Sequence, residues 1–311
     1  MILINCKIFT VTDGIIPNGY IEIDENKITS LGILSSVRFD GDVVNLGRSA
    51  VYPGFVDGHT HIGIDVERQV ENIDTENSVD FDDPAFKLAL RAGVTTVGVF
   101  PGSANAIGGT VLAAHTTGEI INPNVGTKYA LGENSNAHTK PSGISGKAYM
   151  LNKAFVHCHT AEDIEVAETF SNDVVIIHGT DGTSNSPTMV GPILNTPSKD
   201  ELKNHSTALA TRLAERGIEV AICSDHPELP SDYLRTYAGI AIGEGLSREA
   251  ALKAITINPA KMLGIAENYG SIEVGKIADL VVFDKNDDIF APYAKPKMVI
   301  VNGKIVYNEN N

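Results

Sequence analysis

Residues 51–63 read VYPGFVDGHTHIG, an apolar run that breaks into His59, Thr60 and His61. Along a strand, side chains at i and i+2 share a face, so both imidazoles can point to one side. Two imidazoles so placed can hold one cation, since histidine is the commonest metal ligand. A single strand-end histidine is more simply a buried residue satisfied by hydrogen bonds, so the pattern must recur to carry chemistry.

It does recur. The stretch spans one of eight apolar strand candidates, followed by GVTTVGVFPG, GTVLAAHTTG, TKYALGEN, AFVHCHT, VVIIHGTDG, TMVGPIL and EVAICSDHP. Helical periodicity lies between several of them, in DPAFKLALRAG, AEDIEVAETF, SKDELKNHSTALATRLAERG and SREAALKAITINPAKMLGI, with Asp, Ser or Thr at starts and Gly at stops. This alternation predicts an α/β fold, a (β/α)₈ TIM barrel of parallel strands over residues 51–267. The alternative is an open doubly wound sheet, but no GxGxxG opens a helix after a strand and there is no GxxxxGK[ST] loop. His157 and His159 close the fifth candidate, His178 the sixth, Asp225 and His226 the eighth. In a barrel all these ends meet at the C-terminal mouth, where this fold builds its active sites. His115 and His205 fall on a strand and a helix without visible partners and receive no role.

The flanks differ in texture. Residues 1–50 and 268–311 carry short alternating runs broken by Gly, Asn and Asp, and are predicted to form one composite β-sandwich domain. No apolar run approaches a membrane span and no secretory leader opens the chain, so a cytoplasmic protein is expected. Three scattered cysteines, Cys6, Cys158 and Cys223, fit a reducing compartment. With 24 Lys+Arg against 39 Asp+Glu, the net charge of −15 disfavours nucleic acid and anionic membranes. A small-molecule substrate is the expected partner, with a homo-oligomer left open.

PGFVDGHTHIG resembles the first-strand signature of the metal-dependent amidohydrolase superfamily. With AGVTTVGVFPGSANAIGG, VHCHTAEDIEVA, CSDHPELP and GSIEVGKIADLVVFD, the whole length is similar to its imidazolonepropionase-like branch. That resemblance implies a TIM barrel flanked by a β-sandwich from both termini. It also implies a divalent-metal centre, one or two ions and zinc first, that hydrolyses a C–N bond of an amide, cyclic amide or amidine-like small molecule. His59 and His61 match the HxH pair, His178 the sixth-strand histidine and Asp225 the eighth-strand aspartate. His157 or His159 is the fifth-strand ligand, and both share a face. Many relatives place a carboxylated lysine on the fourth strand. Here Glu133 is read as its acidic replacement, and Lys128, at the start of TKYALGEN, is placed at the far end of the barrel.

In the mechanism implied, the cation activates water and polarises the carbonyl, aided by His178, while Asp225 moves the proton. Asn105, His138, His226 and Arg235 are the candidate substrate contacts, on βα loops that set specificity in this fold. Two other readings compete. One is a catalytically silent binding or assembly protein on this fold. The other is an amino-sugar deacetylase, which would favour a basic pocket not evident in this acidic chain.

Overall fold

A computed structural model describes residues 1–35, 40–66, 70–136 and 153–309. The opening stretch is two strands rather than one. β5 (Ala50–Pro53) belongs to a sheet made by the two ends of the chain, and β6 (Phe55–Thr60) begins the barrel. Gly54 makes the crossing. A side chain there would drive its Cβ to 2.1 Å from Thr95 Oγ1, so only glycine lets the chain pass this close.

The barrel continues in chain order through β7 (Val94–Val99), β8 (Ile107–His115), β9 (Ile120–Ala130), β10 (Ala154–Cys158), β11 (Val174–His178), β12 (Thr188–Val190) and β13 (Val220–Ile222). The fold is a TIM barrel with one departure from eight parallel strands: β8 runs antiparallel to both β7 and β9. The connectors dictate this. Residues 100–106 and 116–119 are too short for the crossover that a parallel pair needs, whereas a hairpin turn suffices for antiparallel strands, and His115 N–H donates to Glu119 O at 2.8 Å across the second turn. Closure comes from the ends of the first and last barrel strands. Asp225 N–H donates to His59 O at 3.1 Å, and His61 N–H to His226 O at 2.8 Å.

Helices start where the sequence supplies caps. Asp83 caps α1 (Pro84–Arg91) through Ala85 N–H, with Pro84 in the first turn. The next helices are α2 (Glu133–Asn136), α3 (Ala161–Phe170) capped by Thr160, α4 (Leu209–Glu215), α5 (Leu234–Gly243), α6 (Arg248–Ala254) capped by Ser247, and α7 (Ile257–Met262). The long helix expected across SKDELKNHSTALATRLAERG is instead a 3₁₀ turn at Asp200–Leu202 and α4. Polar side chains between them bond locally: Ser206 Oγ accepts from Ala208 N–H, and Asn204 reaches Asp181. Among the described residues no helix is long and apolar enough to cross a membrane.

The terminal sheet takes β1 (Ile2–Phe9), β2 (Ile15–Asp24), β3 (Lys27–Ile33) and β4 (Val43–Asn45) from one end of the chain, and β14 (Leu280–Phe283), β15 (Met298–Val301) and β16 (Lys304–Asn308) from the other. Its order is β16-β15-β14-β5-β1-β2-β3, with β4 on β1. It curls over a core of Leu3, Ile8, Ile21, Val51, Leu280 and Ile300, until Asn26 in the β2–β3 turn donates to Asn302 in the β15–β16 turn at 2.9 Å.

Arg235, expected at the substrate, is a correction. It is 6% exposed on α5, and its guanidinium donates to the carbonyls of Ala92, Ile289 and Ala294 while lying 5.0 Å from the Phe283 ring. Burial lowers its pKa to about 10, still charged at neutral pH. It ties α1 and α5 to the segment between β14 and β15. Arg235→Met should therefore lower stability by about 2–4 kcal/mol, because buried carbonyls lose their donors. Urea denaturation checks this, and an unchanged midpoint would return Arg235 to the substrate side.

Candidate active site

Strand alternation aims His59 and His61 into the mouth, and the barrel brings the distant chain ends against them. Asp225 Oδ1 lies 3.0 Å from His59 Nδ1 and 3.4 Å from His61 Nε2. Opposite them, His178 Nε2 is 2.9 Å from His157 Nδ1, and the His159 ring stacks on His178 at 4.8 Å between centroids and 14°. The two groups meet where the His59 and His178 rings stand 5.6 Å apart. Asp225 and His178 both hold left-handed backbone, at φ 57° and 70°. Non-glycine residues rarely adopt this conformation, and such outliers cluster at functional sites.

The outer nitrogens are tied. Nδ1 of His61 bonds Phe100 O at 2.8 Å, Nδ1 of His159 bonds Thr180 Oγ1 at 2.7 Å, and Nδ1 of His178 bonds Gly191 O. A backbone carbonyl accepts only, so in His61 and His178 the proton is on Nδ1 and the lone pair is on Nε2, which faces the mouth. This is how metal-binding histidines are oriented. Burial pushes the pKa of His59, His157, His159 and His178 down, keeping them neutral. Burial alone would raise the Asp225 carboxyl, but electrostatic attraction from the imidazoles of His178, His59 and His61 outweighs it and holds it well below the usual range. Neutral imidazoles around an ionised carboxylate are the protonation states a divalent cation requires. Among the described residues, His59, His61 and Asp225 form one set that could hold an ion and His157, His159 and His178 another, with ligand atoms within 4.8 Å in each.

Lys128 is the second correction. β9 begins at Ile120, not at Thr127, so Lys128 is near its C-terminal end and belongs to the mouth. Its Nζ lies 3.0 Å from His59 Nε2 and 5.5 Å from the Phe100 centroid. The side chain is fully buried, and desolvation lowers its pKa to about 8. Glu133 is in neither histidine set. It opens α2, where its carboxylate accepts from Glu201 N–H at 3.2 Å while its own N–H donates to Glu201 at 2.8 Å.

The remaining candidates divide. His226 is half-buried beside Asp225, its N–H held by Ser224 Oγ at 3.0 Å. Its Nδ1 has no hydrogen-bond partner among the described residues, and burial lowers its pKa. Asn105 is half-buried in the connection from β7 to β8, and His138 lies outside the described residues. His115 and His205 do have partners: His115 Nε2 is 3.1 Å from Asp279 Oδ2, and His205 Nε2 is 3.4 Å from Pro192 O. Sequence reading missed Asp57, two residues before His59. Wholly buried, it accepts from Ser224 N–H at 3.0 Å and Ser231 Oγ at 2.7 Å, bracing the turn that carries Asp225, and burial raises its pKa to about 6. The i, i+2 spacing that singled out His59 and His61 extends back to Asp57.

Residues 132–306 match the model of the amidohydrolase family. The chain belongs to that family. It is 23% identical to amidohydrolase tasK of Hapsidospora irregularis over 96% of its own length, spanning 40% of that protein. A 108-residue alignment, 33% of this chain and 26% of its relative, is 37% identical to an imidazolonepropionase of Thermoplasma acidophilum. The crystal structure of an amidohydrolase from Thermotoga maritima MSB8 superposes with a TM-score of 0.90 at 26% identity, covering 99% of this chain and all of that one.

The donor set predicts that protein incubated with Zn²⁺ and desalted retains about one or two equivalents by elemental analysis. His59→Ala combined with His178→Ala should remove most of it. A folded protein that takes up no metal would contradict the assignment.

Proposed function

We propose that this chain is a metal-dependent hydrolase that cleaves a C–N bond of a small molecule, an amide, cyclic amide or amidine, by adding water at the barrel mouth. The convergence of five imidazoles and Asp225, with the outer nitrogens of His61 and His178 on backbone carbonyls and that of His159 on the Thr180 hydroxyl, carries this reading. His59, His61, His178 and Asp225 would hold the cation, with His157 and His159 available to the same ion or a second. A bound divalent ion, zinc being the first choice for this N/O set, lowers the pKa of water and polarises a carbonyl as a Lewis acid.

The chain's own groups handle protons and position. Asp225, ionised and touching both first-strand histidines, takes the proton from the attacking water and returns it to the departing nitrogen. His178, fixed through Gly191 O, keeps its Nε2 lone pair turned into the mouth, where it would hold the cation. Lys128 takes the fourth-strand position in place of Glu133. With its pKa near 8, a useful fraction of the amine is neutral at mildly alkaline pH, and neutral amine adds to CO₂, releasing a proton and leaving a carbamate that could join two ions. His226 and Asn105 remain candidates for substrate contact.

Asp225→Asn keeps the size of the side chain and one oxygen but removes the base. Across a panel of lactams, cyclic amides, ureides and N-acyl amino acids, any substrate turned over by the parent should be cleaved at least about a hundredfold more slowly. Near-normal turnover would move the proton to His226. For Lys128, protein equilibrated with zinc and ¹³C-bicarbonate should show a carbamate resonance that Lys128→Met lacks. Absence of the resonance in the parent would leave Lys128 as an amine beside His59.

A further inference from the structure

The terminal sheet has two faces. Leu3, Ile8, Val51, Leu280 and Val282 turn into its own core, whereas Ala50, Tyr52, Val281 and Phe283 join the barrel's hydrophobic cluster. Between that second face and α6 lies a cleft of about 730 Å³, a size typical of small-molecule sites. It adjoins β5, which leads into the N-terminal end of β6, while His59 and His61 are at the other end of that strand.

Its charge runs against that of the chain. The molecule carries −15, yet Lys7, Arg248, Lys253 and Lys285 line the cleft against two acids, Glu249 and Asp287. Two of the cations are already neutralised, Arg248 by Asp288 at 2.5 Å and Lys253 by Glu249 at 2.6 Å. Lys7 and Lys285 form no ion pair among the described residues. Strand register sets their separation. Lys7 is level with Ala50 on β5 and Ala50 with Phe283 on β14, so Lys7 and Phe283 lie two strands, roughly 10 Å, apart, and Lys285 follows two residues later.

The walls between these cations are apolar. Phe9 stacks on Tyr52 at 4.3 Å between centroids with Lys7 Nζ 4.8 Å from the Phe9 ring, and Leu252 and Phe290 complete the lining. Tyr52 lines the cleft with 6% of its surface exposed, and its hydroxyl is not sealed in the core, so it can be reached from the cleft. Burial pushes its pKa up, with Arg248 opposing, and the group stays a neutral donor.

We propose that this cleft is a second ligand site, separate from the barrel mouth, for a small organic anion. One carboxylate or phosphate group lies between Lys7 and Lys285, its compact apolar body rests against Phe9, Leu252 and Phe290, and Tyr52 supplies a hydrogen bond. A ligand there touches both the terminal sheet and α6, so it joins the two halves of the molecule.

Calorimetric titration of the zinc-loaded full-length protein tests this with three probes: phenylacetate, phenyl phosphate and neutral benzyl alcohol. At least one anion should bind with one-to-one stoichiometry and a dissociation constant below about 1 mM, and the better of the two identifies the anionic group. Lys7→Gln with Lys285→Gln, both on exposed side chains, should weaken it at least about tenfold, and Tyr52→Phe should weaken it by a smaller factor. The site is refuted if neither anion binds, if benzyl alcohol binds as tightly as the anions, or if the double lysine variant binds them like the parent, which would place the anions at the metal centre.

Discussion

Asp225 is joined to the first barrel strand twice. Its backbone N–H donates to His59 O, which closes the barrel, and its carboxylate reaches the imidazoles of His59 and His61, which composes the site. Barrel closure and the proposed chemistry therefore depend on one residue in left-handed backbone. The arrangement is held from behind by wholly buried Asp57, whose carboxylate grips Ser224 and Ser231 on either side of the turn. An ionised carboxylate inside a protein is costly unless it is paired and hydrogen-bonded. The surrounding neutral imidazoles meet that cost in part, and a cation would meet it more fully.

The same economy explains the crowding of the mouth. Five histidines and a lysine lie within a few ångströms of one another, and burial disfavours protonation of most of them. Neutral groups with lone pairs aimed at a common point make a poor core and a good coordination sphere. Beneath the mouth lies an apolar layer in which Phe100, Phe155, Val56 and Met189 pack together.

Much of this was legible in the sequence, for particular reasons. Period-2 alternation exposed His59 and His61, and the recurrence of His or Asp at later strand ends exposed the convergence, because strand ends in a barrel share one rim. The reversal of β8 was less visible, since an apolar strand reads alike in either direction and only connector length betrays it. Lys128 opens a strand only if that strand starts at TKYALGEN, whereas β9 starts at Ile120 and runs through Asn122, Pro123 and Asn124, residues that ordinarily interrupt strands. Glu133 and Arg235 carry the right chemistry for a site, but their partners, Glu201 N–H and three backbone carbonyls, are distant in sequence and appear only in the fold. The cleft beside α6 has the same origin, as Lys7 and Lys285 meet only because β1, β5 and β14 are neighbours.

In the function proposed, one cavity built from the first, fifth, sixth and eighth barrel strands holds the metal ion. Anomalous diffraction from zinc-loaded crystals, recorded on either side of the zinc absorption edge, locates that ion. A peak is expected at the barrel mouth with His59, His61 and Asp225 among its ligands, at nitrogen distances of about 2.0–2.1 Å. Fully ordered strand ends with no peak there, or with zinc bound only at surface carboxylates, would contradict it.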